Sequence, residues 1–108
     1  MPPSLLAPTQ PDIEVVAPPD SETQLDPPVH VLVHNDDVTP FDFVIVVLRS
    51  AFDLSTSDAE RITATAHFNG LAYVATLSLE DAKYRVGKAH GWARAAGYPL
   101  TFSIEPEV

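Results

Sequence analysis

One short segment of this chain concentrates the polar side chains that could bind a cation. Residues 34–41 read His-Asn-Asp-Asp-Val-Thr-Pro-Phe, which places an amide and two carboxylates directly before the apolar start of a helical pattern. Asn35 offers a carbonyl oxygen, Asp36 a carboxylate, and a neutral imidazole such as that of His67 a lone pair. If these three acceptors converge, they suit a primary ammonium group.

Apolar residues at Phe41, Val44 and Leu100 could form walls beside these acceptors. A ligand with a cationic amine and a bulky apolar side chain would fit such a site, and the free N-terminal residue of a peptide is one such ligand. Plainer interpretations remain open. Adjacent acids in a turn usually bind nearby backbone amides, a histidine near a helix end is often a surface residue, and the apolar spacing is typical of a core.

Motifs for catalysis or metal binding do not stand out. The chain has no cysteine, which excludes a thiolate nucleophile, a disulfide and a cysteine-based zinc site. It contains no Gly-rich phosphate loop, no GxSxG and no HExxH pattern. A carboxylate or metal-dependent hydrolase would have to use Asp36, Asp37, His34 and His67, and this is a distant alternative. We therefore expect no enzymatic activity, no cofactor and no metal ion.

The charge balance excludes two classes of partner. The 108 residues carry 6 basic and 15 acidic side chains, for a formal net charge of −9. Binding to nucleic acid or to an anionic membrane needs a basic surface. No apolar run approaches the roughly 20 residues of a membrane span, and the first residues lack the basic and apolar regions of a secretory signal. We expect a cytoplasmic protein.

The composition changes near residue 28. The first 28 residues hold eight of the 11 prolines and five acids, with no basic or aromatic residue. Proline removes backbone donors, the acids repel one another, and the segment has no aromatic side chain to bury in a core. We expect residues 1–28 to be a disordered, acidic, proline-rich extension, either a passive leader or a functional arm. Residues 29–108 are long enough for one small domain.

Hydrophobic periodicity predicts three strands and three helices in this domain. Alternating or β-branched runs predict strands at residues 29–34, 71–77 and 100–105. Helical spacing predicts helices over about 40–52, from Ser55 or Ser57 to about 68, and from about 79 to 96. The order is β-α-α-β-α-β, and we expect an α+β domain with a three-stranded antiparallel sheet and the helices on one face.

Local signals mark where these helices should begin and end. Thr39 suits the N-cap of the first helix, with Pro40 at the first helical position. Ser78 suits the N-cap of the third helix. Gly70 suits the left-handed residue that closes the second helix, and Gly97 the end of the third.

Three segments of the chain resemble the ClpS family. They read HNDDVTPFDFV, AERITATAHFNG and AAGYPLTFSIEPE, and the resemblance covers about residues 29–107. Members of this family are small adaptors that recognise destabilising N-terminal residues and hand the proteins that bear them to a Clp AAA+ chaperone and its peptidase. The resemblance therefore implies an N-end rule, or N-degron, adaptor in protein degradation.

The resemblance implies roles for the polar loop. The α-amino group of a substrate would be bound by Asn35, Asp36 and His67. Asp37 and Thr39 match family residues that shape the loop around this group. We expect amine recognition to be intact, because this motif matches the family pattern.

The resemblance also implies a side-chain pocket, with three departures from the common pattern. The pocket would be lined by Phe41, Val44, Thr63, Ala66 and Leu100. Phe41 and Thr63 stand where the family commonly has Met, and Ala66 where it has a larger aliphatic residue. We expect the pocket to accept bulky apolar N-terminal residues (Leu, Phe, Tyr and Trp) in an altered order of preference, since one methylene changes affinity by roughly 10–200-fold.

Docking to the chaperone is the last implied property. Glu80 and Arg85 match charged positions on the face that contacts the N-terminal domain of a ClpA-type or ClpC-type chaperone, and Arg85 replaces the usual Lys. The resemblance also implies that the extension 1–28 assists delivery and that the protein is a monomer. The alternative is a chaperone-binding regulator of the Clp protease without N-terminal specificity.

Overall fold

The computed structural model describes residues 27–107, so all but the last two residues of the predicted extension lie outside it. Three strands and three helices follow in the predicted β-α-α-β-α-β order, which is confirmed. Their bounds are β1 (Val29–His34), α1 (Phe41–Phe52), α2 (Thr56–Asn69), β2 (Leu71–Leu77), α3 (Leu79–Ala95) and β3 (Thr101–Pro106).

Strand β1 is the centre of an antiparallel sheet with the order β2-β1-β3. Val29, Val31 and Val33 alternate with more exposed residues and are buried in the same core as the apolar faces of the helices. At the end of β1, His34 pairs with Leu71 of β2 and with Thr101 of β3. The chain therefore leaves β1 between the first residues of both neighbouring strands.

The helices are held by small and branched apolar residues. Helix α1 contributes Val47 and Leu48, which are almost fully buried, while its first residue, Phe41, is 45% exposed. Helix α3 faces the core with Ala82, Val86, Ala89 and Ala93. Alanine leaves little side-chain volume between the packed elements, so this helix can approach the sheet closely.

The predicted helix ends are mostly confirmed. Ser55 caps α2 by accepting a hydrogen bond from the amide of Asp58, and Ser78 caps α3 in the same way from Asp81, both at 3.1 Å. The prediction that Thr39 caps α1 is wrong. Pro40 precedes the helix in an extended conformation, and the Thr39 hydroxyl donates instead to Asp36 at 2.9 Å.

Gly70 ends α2 as predicted, with a left-handed φ of 93°. Its amide donates to the carbonyl of Ala66 at 2.8 Å, and its own carbonyl accepts from the amide of Asn35 at 2.9 Å. This second bond connects the end of α2 to the residue that follows β1. Within residues 27–107 no helix combines the length and apolarity of a membrane span.

A pair of glycine substitutions tests this turn. Gly70→Ala should lower the free energy of unfolding by about 1–2 kcal/mol, because a Cβ is disfavoured at a left-handed φ. Gly91→Ala is the matched control. It lies inside α3 with open space around its Cα, so alanine should stabilise the protein by about 0.5–1 kcal/mol. Urea unfolding followed by circular dichroism measures both, and equal effects of the same sign would contradict the assignment.

Candidate functional site

A pocket opens where the chain leaves β1. It encloses about 290 Å³ of empty space, part of it continuous with solvent. The loop after β1, the first turn of α1, the inner face of α2 and the entry to β3 contribute its walls. The lining residues are Val33, His34, Asn35, Asp36, Thr39, Phe41, Val44, Thr63, Ala66 and Leu100.

Eight of the residues that the sequence predicts to bind a substrate N-terminus therefore lie around one pocket. His67 is not among the lining residues, but its ring meets the edge of the Phe41 ring at a centroid distance of 5.6 Å. Asp37 is exposed on the loop. Polar acceptors and apolar walls share a single opening, which is the arrangement that a cationic group with an apolar side chain requires.

Asp36 organises the polar loop. Its Oδ1 accepts hydrogen bonds from the amides of Val38 at 2.8 Å and Thr39 at 2.6 Å, and its Oδ2 accepts from the Thr39 hydroxyl at 2.9 Å. Partial burial alone would raise the pKa of this carboxyl, but the hydrogen bonds from Thr39 and Val38 and the charge of Arg94 together hold the pKa below its usual value. The site thus keeps a fixed negative charge.

His67 is held at the mouth of the pocket by aromatic contacts. Besides Phe41 it meets the ring of Phe68 edge-on at a centroid distance of 5.1 Å. All three side chains are exposed. Gly70, three residues after His67, accepts a hydrogen bond from the backbone amide of Asn35. The imidazole of His67 and the side chain of Asn35 therefore belong to the same rim.

The apolar wall comes from four buried residues, Val44, Thr63, Ala66 and Leu100. The Thr63 hydroxyl donates to the carbonyl of Ala59 within α2 at 2.7 Å. Its hydrogen-bond donor is therefore satisfied by its own helix, and Thr63 serves the pocket as a small, neutral side chain. Together with Ala66 it leaves room on the α2 side of the pocket.

Sequence reasoning missed three residues beside this pocket. Val33 and His34 belong to its lining, although His34 was considered only for the hydrolase alternative and not for an amine-binding site; its Nε2 lies 2.7 Å from the hydroxyl of Ser103. Arg94 donates to the carbonyls of Tyr98 and Leu100. The one signal for Arg94 was a basic residue in the last turn of a helix, where cations commonly bind free carbonyls.

The predicted docking pair lies on another part of the surface. Glu80 is exposed in the first turn of α3. Arg85 donates to Asp81 at 3.0 Å, to Asp53 at 3.0 Å and to the carbonyl of Ala51 at 2.9 Å. The hydrogen bonds that Arg85 donates to the carboxylates of Asp53 and Asp81 raise the pKa of Arg85 despite its partial burial. Arg85 therefore joins the end of α1 to α3.

The structure gives no support to the distant hydrolase alternative. Among residues 27–107 no three histidine or acidic side chains lie close enough together to hold a metal ion. The Asp36 carboxylate, which such chemistry would need, is already bound to the amides and hydroxyl of its own loop.

Comparison with known proteins extends this description. A family model described as ATP-dependent Clp protease adaptor protein ClpS matches residues 24–103. The ClpS 2 adapter protein of Mesorhizobium japonicum is 43% identical over 77 residues, which are 71% of this chain and 76% of the relative. The ClpS adapter protein of Desulfatibacillum aliphaticivorans is 35% identical over 94 residues, 87% of this chain and 90% of the relative.

A solved structure shows the same fold. The structure of Agrobacterium tumefaciens ClpS2 bound to L-phenylalaninamide superimposes with a TM-score of 0.73 at 37% identity, covering 75% of this chain and 98% of that one. Family model, curated relatives and solved structure therefore agree on the family. On these grounds the protein belongs to the ClpS family of ATP-dependent Clp protease adaptors.

Proposed function

We propose that this protein binds the free N-terminal residue of substrate proteins and delivers them to a Clp AAA+ chaperone for degradation. The observation that carries the proposal is the joining of Asn35 and Asp36 with apolar walls in one open pocket. The L-phenylalaninamide bound to the Agrobacterium structure supports it, because that molecule has a free α-amino group and an apolar side chain.

The α-amino group would be held by Asn35, Asp36 and His67. Asn35 is exposed, and the hydrogen bond from its backbone amide fixes its position at the rim. Asp36 accepts one hydrogen bond at Oδ2, which leaves that oxygen a lone pair for the ammonium group. Asp37 and Thr39 would shape the loop, Thr39 through its two bonds to Asp36.

The first side chain of the substrate would enter the apolar part of the pocket. Thr63 and Ala66 leave space on one side, and Phe41 stands half-exposed at the mouth, where its ring can cover a bound side chain. We expect Leu, Phe, Tyr and Trp to bind, with the larger aromatic residues favoured by the two small residues of α2.

Delivery would use a second surface on α3. Glu80 is exposed, and Arg85 is anchored by its bonds to α1 and to Asp81. These two side chains would contact the N-terminal domain of a ClpA-type or ClpC-type chaperone. The extension 1–28 would assist in transferring the substrate.

Peptides that differ only in their first residue test N-terminal recognition. Labelled peptides beginning with Leu, Phe, Tyr or Trp should bind with micromolar or tighter affinity by fluorescence anisotropy, and their N-acetylated twins should not bind, because acetylation removes the cation. Absence of binding by every free peptide would instead favour a regulator that engages the chaperone without selecting N-termini.

The same assay tests whether the imidazole of His67 takes part in binding the α-amino group. His67→Ala should weaken binding about tenfold or more, since a hydrogen bond to a charged group is lost. His30→Ala is the control, because His30 lies at the other end of β1 and contacts Thr76. If both variants bind like the parent protein, His67 has no role in amine binding.

Two substitutions separate the charge of Asp36 from its effect on the loop. Asp36→Asn keeps an oxygen that can accept from the amides of Val38 and Thr39, so the turn should persist while affinity for the amine falls about tenfold. Asp36→Ala removes both properties and should weaken binding further. Unchanged binding by the Asn variant would exclude a direct electrostatic role.

The lowered pKa of Asp36 adds a prediction about acid stability. Its folded-state pKa lies below the reference value of 3.8, so the charged carboxylate stabilises the fold above that pH. This contribution is lost as the pH falls through the folded pKa. Asp36→Asn should therefore flatten the decline in urea midpoint below about pH 4. A decline as steep as in the parent protein would contradict the assignment.

Pocket volume can be tested on α2. Thr63→Met should fill space on the α2 side of the pocket and weaken binding of a Trp-initiated peptide relative to a Leu-initiated one by about tenfold or more. Thr65→Met is the matched control, because Thr65 makes the same type of hydrogen bond to its helix but lies outside the pocket lining. An unchanged Trp-to-Leu ratio in both variants would show that Thr63 does not limit the pocket.

A further inference from the structure

We propose that Arg94 is the positioning residue of the pocket, holding Leu100 in place so that the pocket can discriminate between first side chains. The proposal rests on the proposed function and extends it to a residue outside the pocket lining. It is carried by the hydrogen bonds of the Arg94 guanidinium at the end of α3.

The chain reverses direction sharply at this end. Gly97 has a left-handed φ of 84°, its amide donates to the carbonyl of Arg94 at 3.0 Å, and the amide of Tyr98 donates to Ala93 at 2.8 Å. These two bonds form a Schellman motif, which closes the last helical turn but leaves the following carbonyls without helical partners.

Arg94 binds those following carbonyls. Its Nη1 donates to the carbonyl of Tyr98 at 3.0 Å and to that of Leu100 at 2.8 Å. Leu100 is 1% exposed and lines the pocket. One guanidinium nitrogen therefore fixes the backbone of a pocket residue from the outside, and a shift of that backbone would move the apolar wall.

The same guanidinium also acts on the polar side of the pocket. Because His34 pairs with Thr101, the residues after β1 lie next to those before β3. The charge of Arg94 is one of the influences that lower the pKa of Asp36. Arg94 thus acts on both halves of the site. It binds the backbone of Leu100 in the apolar wall by a hydrogen bond, and its charge favours the ionised carboxylate of Asp36 on the polar side.

This arrangement predicts a specific pattern of loss. Without the guanidinium, the entry to β3 is less restrained, so contacts with the substrate side chain should weaken. Attraction for the α-amino group should not fall, because removing a nearby cation leaves the Asp36 charge less compensated. Arg94 variants should therefore discriminate less between first side chains while they still require a free α-amino group.

The test compares two peptides, identical except for Phe or Ala as the first residue, together with their acetylated forms. In Arg94→Met the ratio of Phe to Ala affinity should fall about tenfold or more, while acetylation still abolishes binding. Arg94→Lys keeps the charge and a donor and should recover part of the ratio. Arg61→Met is the control, since Arg61 is exposed on α2 and pairs with Asp58.

A uniform weakening of both peptides, or an unchanged ratio, would overturn the proposal. A second readout does not depend on binding: the methyl NMR signals of Leu100 and the amide exchange of residues 101 and 102 should change in Arg94→Met and stay unchanged in Arg61→Met. If the parent protein binds none of the peptides, the proposed function fails, whereas these NMR signals still decide whether Arg94 holds the wall. Should Arg94→Met not fold, the ratio and signals of Arg94→Lys decide in the same way.

Discussion

The hydrogen bond from the backbone amide of Asn35 to the carbonyl of Gly70, at 2.9 Å, continues the β1–β2 pairing and joins the two halves of the polar rim. One half follows β1 and the other ends α2, and these elements are separated in the chain by the whole of α1. Because Gly70 adopts a left-handed conformation, α2 stops beside the end of β1 instead of continuing past it. His67 and Asn35 consequently share one rim.

The sheet topology explains why the remaining pocket residues converge on this point. β1 is the central strand, so whatever follows it is flanked by the beginnings of β2 and β3. The entry to β3 supplies Leu100, while α1 starts directly after the loop and supplies Phe41 and Val44. An edge strand in the position of β1 would expose the loop on one side and could not enclose a pocket with so few residues.

The helices and strands and their order could be predicted almost completely because their determinants are local, whereas the central place of β1 in the sheet could not. Alternation in residues 29–34, serine caps and the glycine at 70 each act within one element, and the structure confirms them. The error at Thr39 arose because its hydroxyl has two local partners to choose from, the helix start and Asp36, and spacing alone does not rank them. The contacts of Arg85 could not be assigned, since it binds the carbonyl of Ala51, whose position depends on tertiary packing, and those of Arg94 depend on how the chain turns after α3.

The polar residues around the site fall into two groups, those already hydrogen-bonded within the protein and those exposed at the rim. Thr63, Arg94 and Asp36 all form hydrogen bonds with the backbone of the protein itself. These bonds stabilise the shape of the pocket before any ligand binds. Asn35 and His67 are exposed at its rim. A site that is preorganised by internal hydrogen bonds loses less conformational entropy on binding. The residues that recognise a ligand can therefore be few, provided that the residues behind them are fixed.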